Sequence, residues 1–326
     1  MRQALLLVAL VAATACTGRA STLDPGGSGA ERISQLTWLL ITVMAGVYIV
    51  VLAVLAMVIR RRTERPARGG TGWALVGVVA GGIVLPVVVI TALAIVSVRS
   101  LADLTRAEAA GLTVDVVGQQ YWWEFHYREA DGESLITANE LHLPVGRRVQ
   151  IRLHSTDVIH SFWVPALQGK LDLVPGKVNV TWLRADRAGT YHGQCAEYCG
   201  IQHALMRMVV VAQEPSDFAQ WLAAQRQPAV VGTDERARRA EQLFLVHCAS
   251  CHRVRGTSAS FGTLGPDLTH VASRSTLAAG TFPNVKESLA GWIADPQAFK
   301  PGNLMPRVAL PAEERQAVVD YVNGLR

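Results

Sequence analysis

The chain has 326 residues, enough for more than one domain; 50% are hydrophobic and 17% charged. That balance is too apolar for an ordinary soluble protein and too polar for a pure membrane bundle, so a few spans joined to water-soluble domains are expected. The net charge of +5 is local, because five arginines crowd into Arg60–Arg68. Such a run reads as a topology signal, and no basic patch interleaved with aromatics supports a nucleic-acid partner.

Met1 and Arg2 precede an apolar run from Ala4 to Ala15, then Cys16-Thr17-Gly18. A basic start, a short apolar core and small residues at the break predict a signal peptide over residues 1–20. The run is too short to span a bilayer. Small residues directly before Cys16 also match a bacterial lipoprotein cleavage site, with Ala13 where leucine is commoner; the alternative is plain signal cleavage and a spare cysteine. Two longer apolar runs, Leu36–Ile59 and Trp73–Val98, contain no charged residue. Each reaches the roughly 20 residues needed to cross the hydrocarbon core. They predict a transmembrane helical hairpin over residues 30–106, with Trp38 and Trp73 at the interfaces. Pro86 falls inside the second span and is tolerable if neighbours satisfy the freed carbonyl. Basic loops stay cytoplasmic, so both ends of the hairpin point outward and everything after Val98 is periplasmic.

Residues 107–226 change character. Short β-branched and aromatic runs (Thr113–Gly118, Tyr121–Arg128, Val149–His154, Val158–Val164, Val178–Leu183, Met208–Val211) alternate with turn signals such as Asp131-Gly132 and Pro175-Gly176. This predicts an antiparallel β-sandwich or barrel, followed by a helix over Ser216–Arg226. Two segments carry chemistry: His160-Ser161-Phe162-Trp163, and the run from His192 through Cys195, Glu197, Cys199 and His203 to Met206. The second places two thiols, an imidazole and a thioether in one loop. Soft thiolate and thioether ligands select copper, and imidazole suits it. A distant strand would supply His160 as a second imidazole. Taken singly, a C-x-x-x-C pair outside the cytoplasm is more often a disulfide and a lone methionine is more often core; the ordered set is the stronger signal. His126, His142, His154 and His192 read as surface or hydrogen-bonded residues.

This segment resembles the binuclear copper (CuA) loop of cytochrome c oxidase subunit II. The resemblance implies a cupredoxin-like fold in which Cys195 and Cys199 bridge two copper ions. His160 and His203 would be terminal imidazole ligands, Met206 a weak thioether ligand, and Glu197 a ligand through its backbone carbonyl. The side chain of Glu197 would also reach a magnesium site shared with subunit I. Gly118–Phe125 resembles the family's aromatic stretch near the electron-entry surface, making Tyr121, Trp122 and Trp123 entry candidates. The family usually has tryptophan at the position of Tyr121. It also often carries a glutamate near the start of the second span that serves a proton channel; here the segment reads Gly70-Thr71-Gly72-Trp73.

Residues 227–233, Gln-Pro-Ala-Val-Val-Gly-Thr, read as a linker. Thr233 or Asp234 can cap a helix over Glu235–Leu245, which runs into Cys248-Ala249-Ser250-Cys251-His252. C-x-x-C-H is the attachment signal of a c-type haem: Cys248 and Cys251 add to the vinyl groups and His252 becomes the proximal iron ligand. Met305, in Lys300-Pro301-Gly302-Asn303-Leu304-Met305-Pro306 before a last helix over Ala312–Leu325, resembles the distal ligand of class I cytochromes c. Gly265-Pro266-Asp267-Leu268 resembles the loop whose proline carbonyl orients the proximal histidine. Residues 234–326 are thus expected to form an all-α cytochrome c domain.

Together the resemblances cover nearly the whole chain and imply the arrangement of caa-type haem–copper oxidases. They imply an electron-transfer subunit that takes electrons through covalent haem c to the binuclear copper and on to subunit I, where oxygen reduction and proton pumping occur. The implied partners are subunits I and III, and cytochrome c or quinol–cytochrome c reductase as donor. The implied place is the bacterial inner membrane, with the redox domains on its periplasmic face. Two other readings share parts of the pattern. A nitric oxide reductase with CuA could carry the same loop; a membrane-anchored copper chaperone uses C-x-x-x-C and histidine but needs neither His203-x-x-Met206 nor a haem.

Overall fold

The computed structural model describes residues 20–61, 71–106, 111–128 and 134–326. Cys16, the rest of the expected signal peptide before residue 20, the Arg65 and Arg68 end of the basic loop and the Asp131-Gly132 turn lie outside the described residues. Glu31–Arg106 forms one unit and the remaining described residues a second.

In the first unit, α1 (Ser28–Arg61) is an unbroken helix. The second run begins as α2 (Thr71–Val79), passes through a π-helical turn at Ala80–Val84 and continues as α3 (Leu85–Thr105). Pro86 accounts for the wide turn: its ring clashes with the carbonyl four residues back and it donates no hydrogen bond, and a π-bulge relieves both. Both helices turn large apolar side chains outward along their length, as at Tyr48, Ile59, Trp73 and Val98. Their most apolar stretches have mean hydropathies of 2.8 and 2.7. Surface of this kind, on helices this long, matches a hydrocarbon surrounding.

The second unit starts with a sandwich of ten strands: β1 (Thr113–Gln119), β2 (Trp122–Arg128), β3 (Ser134–Ala138), β4 (Glu140–Pro144), β5 (Val149–Ser155), β6 (His160–Trp163), β7 (Leu171–Leu173), β8 (Asn179–Leu183), β9 (Gly189–Cys195) and β10 (Arg207–Gln213). One sheet has the order β3-β2-β1-β5-β8, the other β4-β10-β9-β6-β7. The expected sandwich is there, but two pairs, β1 with β5 and β4 with β10, run parallel. Val114, Val116, Trp123, Phe125, Leu141, Leu143, Ile151, Leu153 and Phe162 fill the space between the sheets. Strand β5 shows the alternation that marks a half-buried strand, with Val149, Ile151 and Leu153 inside. Strand β4 does not alternate, because all five of its residues are buried. Helix α4 (Pro215–Arg226) brings Trp221 flat against His142, 4.0 Å between ring centroids. Residues 26–30 pack on this domain: Gly26 N donates to Ala166 O at 2.7 Å and Ala30 N to Leu167 O at 3.0 Å.

The C-terminal part has its own core, with Phe244, Val254, Val271, Leu289, Val318, Val319, Val322 and Leu325. Helix α5 (Glu235–His247) is capped by the Asp234 carboxylate, which accepts from Ala237 N at 2.8 Å. A two-strand hairpin, β11 (Thr276–Leu277) and β12 (Phe282–Pro283), precedes α6 (Lys286–Ala294), the short α7 (Pro296–Phe299) and α8 (Ala312–Gly324). Helices α5 and α8 meet through Phe244 and Tyr321, 5.3 Å apart. The segment read as a linker is packed: Ala229 is buried and its N–H donates to Arg255 O at 3.0 Å, while Arg255 also donates to Gln225 O.

Candidate metal and haem centres

Three stretches of chain bring the predicted copper residues together. Strand β6 opens with His160, which is fully buried. Strand β9 ends in Cys195, so the segment from His192 begins as strand and continues as turn and loop, and is not one loop. The turn that follows carries Glu197 and Cys199, a 3-10 turn carries His203–Leu205, and Met206 leads into β10. Register holds the two halves: Phe162 lies opposite Cys195, and Cys195 N donates to Met206 O at 2.9 Å.

The soft atoms converge. Cys195 Sγ and Cys199 Sγ are 3.8 Å apart. His160 Nδ1 lies 3.9 Å from Cys195 Sγ, His203 Nδ1 3.7 Å from Cys199 Sγ, and Met206 Sδ 3.8 Å from Cys199 Sγ. Glu197 O is 3.2 Å from Cys195 Sγ. Both thiols are free, and the separation is far beyond the bond of about 2.05 Å that a disulfide needs. Two thiolates bound to one metal at about 2.3 Å and a tetrahedral angle stand about 3.8 Å apart. The sulfur spacing therefore fits a shared metal. The ligand atoms of His160, Cys195 and Cys199 all lie within 4.8 Å of one another.

Electrostatics couple the protons of these donors. The contact from Cys199 is the largest cause holding the Cys195 thiol far below its ordinary range, and that same contact pushes Cys199 up. Burial opposes a charged His160, but the contacts from Cys195 and Asp157 outweigh it and raise its pKa. Asp157 Oδ1 stands 2.8 Å from His160 Nε2 and accepts from Val158 N at 2.6 Å; its other oxygen accepts from Gln120 N at 2.7 Å. This carboxylate turns the imidazole so that Nδ1 faces the sulfurs, the usual way an outer residue orients a ligand. Sequence reasoning passed over Asp157; an acid three residues before a candidate ligand was the available signal. Gly118 was also passed over. A Cβ there would come within 2.9 Å of the His160 ring.

The three aromatic entry candidates differ. Trp123 is fully buried and stands edge-on to Phe162 and His160, at 5.7 and 6.1 Å. Trp122 is buried against Ala138 and Ala279, the latter from the C-terminal domain. Tyr121 is partly exposed and packs against the copper domain's core. The side chain of Glu197 is exposed.

In the C-terminal domain, α5 delivers Cys248, and Cys251 N and His252 N donate back to Cys248 O at 3.1 and 2.9 Å. Both thiols are free and half-buried. His252 Nδ1 donates to Pro266 O at 2.9 Å, which leaves Nε2 as the free nitrogen. Burial lowers the His252 pKa, so the ring is held neutral, the form that ligates iron. A Cβ on Gly265 would stand 2.5 Å from that ring. Asp267, buried, fixes the loop by accepting from Arg253 at 3.0 Å and Thr269 N at 2.8 Å. Met305 is half-buried; Asn303 Oδ1 accepts from its N–H and Gln297 donates to its carbonyl. Phe261, Leu264 and Leu304, neighbours in sequence of these residues, are 60%, 75% and 70% exposed, apolar surface that a haem would cover.

Comparison with known proteins gives the family. Residues 128–213 match the family profile of the cytochrome c oxidase subunit II periplasmic domain, and residues 237–326 match that of cytochrome c. The chain is 34% identical to cytochrome c oxidase subunit 2 of Alkalihalophilus pseudofirmus over 326 aligned residues, 96% of this chain and 93% of that protein. It is 33% identical to the Bacillus subtilis protein of the same name, over 75% of this chain and 70% of that one. Among solved structures, the periplasmic domain of subunit II of cytochrome oxidase from Bradyrhizobium japonicum is 30% identical, covering 37% of this chain and 97% of that one with a TM-score of 0.35. The chain, with its two apolar helices, sandwich domain and helical C-terminal domain, belongs to the cytochrome c oxidase subunit II family, in the form that carries a cytochrome c domain, and so to the haem–copper oxidoreductases of membranes.

Proposed function

We propose that this chain carries electrons from an external donor to subunit I of a cytochrome c oxidase in the bacterial inner membrane. The observation that carries the proposal is the pair of free thiols 3.8 Å apart, flanked by two imidazoles and a thioether. A binuclear copper centre would be held by His160, Cys195, Glu197 O, Cys199, His203 and Met206. A covalent haem c would be held by Cys248, Cys251, His252 and Met305. Bound there, the two groups supply one-electron carriage towards subunit I, where oxygen is reduced and protons are pumped.

The chain's own residues do the positioning. The sandwich buries His160, Cys195, Cys199 and Met206 and half-buries His203, which limits water and lets the coordination change little when charge moves. Asp157 and Pro266 each hold one nitrogen of an imidazole and leave the other for metal. Glu197, exposed beside the copper loop, is suited to a magnesium ion shared with subunit I. Subunit III, and cytochrome c or a quinol–cytochrome c reductase as donor, complete the expected assembly.

The test is oxygen uptake by the assembled oxidase. Replacing Cys248 and Cys251 together by serine should stop uptake driven by the physiological donor while copper content stays normal. Undiminished uptake by that variant would remove the haem from the route.

A further inference from the structure

The C-terminal domain meets the copper loop along a narrow seam, and a buried lysine sits in it. Lys300 is 2% exposed. Its Nζ donates to Leu205 O at 3.0 Å, in the copper loop between His203 and Met206, and to Ala278 O at 3.1 Å, in the β11–β12 turn. Among the described residues no carboxylate pairs with it, and the Arg207 cation stands near. A buried ammonium is costly unless its donors are satisfied, so these two carbonyls are its partners of consequence. Burial, then Arg207, bring the amine down to about 8. Either protonation form keeps two N–H donors or more, so both bonds survive the titration.

The neighbours reinforce this seam. Gln202, buried, donates to Pro301 O at 2.5 Å. Arg207 N donates to Ala279 O at 3.1 Å. Ala278 and Ala279 both have left-handed backbones, with φ of 51° and 56°. Side chains with a Cβ enter that region at a cost, and such strain persists where surrounding contacts over-determine it. Here the contacts are Lys300 on Ala278 O and Arg207 on Ala279 O. Lys300 also precedes Met305 by a short loop that Asn303 and Gln297 tie together.

We propose that Lys300 is a positioning residue that clamps the Met305 loop of the haem domain onto the copper loop between His203 and Met206, and that electrons cross between the two centres at this contact. The proposal rests on the redox reading above. The step is transfer of a single electron, haem iron oxidised and copper reduced, with no bond made or broken and no proton moved.

The experiment uses the full chain loaded with copper and haem, as wild type, Lys300→Met, Lys300→Gln and the exposed-site control Lys286→Met. Amide hydrogen exchange is read at Arg207, at Ser275, whose N–H donates from the C-terminal domain to Glu140 Oε2 of β4 at 2.8 Å, and at Val210 inside β10. Electron equilibration between haem and copper is followed after flash photoreduction. Lys300→Met should expose the Arg207 and Ser275 amides, spare Val210, and slow equilibration relative to wild type and Lys286→Met, with both optical spectra unchanged. Lys300→Gln, which keeps a donor but cannot reach both carbonyls, should fall between and decides the matter should the methionine variant not fold. Unchanged exchange and rate overturn the clamp, and so does a changed copper spectrum with protection intact. Wild-type chain that holds both groups yet shows no equilibration contradicts the redox reading, while the exchange data still report on the clamp.

Discussion

The copper cluster and the haem segment solve the same problem on different plans. At the copper cluster every soft donor is enclosed or partly enclosed by the sandwich, and the donors already stand at metal-ligand spacing. At the haem segment the end of one helix and the loops after it supply the donors. His252 is aimed by Pro266 and flanked by Gly265, while Cys248 and Cys251 are half-buried and Phe261, Leu264 and Leu304 are open. A site made of protein ligands alone can be preorganised by strands, as rigid elements hold geometry best. A site built around a large apolar group needs apolar side chains beside its ligands, and Phe261, Leu264 and Leu304 would supply them.

The contrast can be broken from either end. The largest effect is expected from Cys195→Ser or Cys199→Ser. Either should abolish stoichiometric copper binding and leave the covalent haem in place, read by metal analysis beside the haem spectrum. Cys248→Ser with Cys251→Ser should do the reverse. Because the sandwich and the C-terminal helices have separate cores, copper should bind normally while the C-terminal domain loses thermal stability, as differential calorimetry would show.

Smaller changes sharpen the comparison. Gly118→Ala forces a Cβ against the His160 ring. It should cost about 1–3 kcal/mol, as overpacking does, and alter the copper spectrum without touching the haem. Met206→Leu is close to volume-conserving, so denaturant unfolding should move by less than about 1.5 kcal/mol, while a redox titration finds a changed copper potential. The smallest effect belongs to the seam. Burial opposes a charged Glu140, but contacts from His142 and Ser275 outweigh it and hold its carboxyl below the ordinary range. The unfolded chain therefore binds that proton more readily than the folded one. The stability from Glu140 should be full above the ordinary carboxylate range and vanish as pH falls through the lowered value. Comparing Tm against pH for wild type and Glu140→Gln checks this: the two curves should converge in acid.

Much of this architecture was legible in the residues because local rules and global fold agree. Apolar length predicted both spans, Asp234 is the cap of α5, and C-x-x-C-H lies at a helix end. Strands β3, β4, β7 and β9 were not legible. Strand β4 is buried on both faces and does not alternate, β7 is three residues long, and β9 carries two glycines. The copper loop could be read as an ordered donor set, whereas Asp157 and Gly118 act through the third dimension and leave no periodic trace. Lys300 is the extreme case: a lysine in a Pro-Gly loop reads as solvated, and only the fold buries it against two carbonyls.

On this reading one chain holds both a binuclear copper centre and a covalent haem. Copper and iron per full-length chain, measured with the optical spectrum after copper loading and haem attachment, test it most directly. Two coppers are expected for each iron, with haem that resists extraction. A single copper or none beside a normal haem would contradict the ligand set around Cys195 and Cys199.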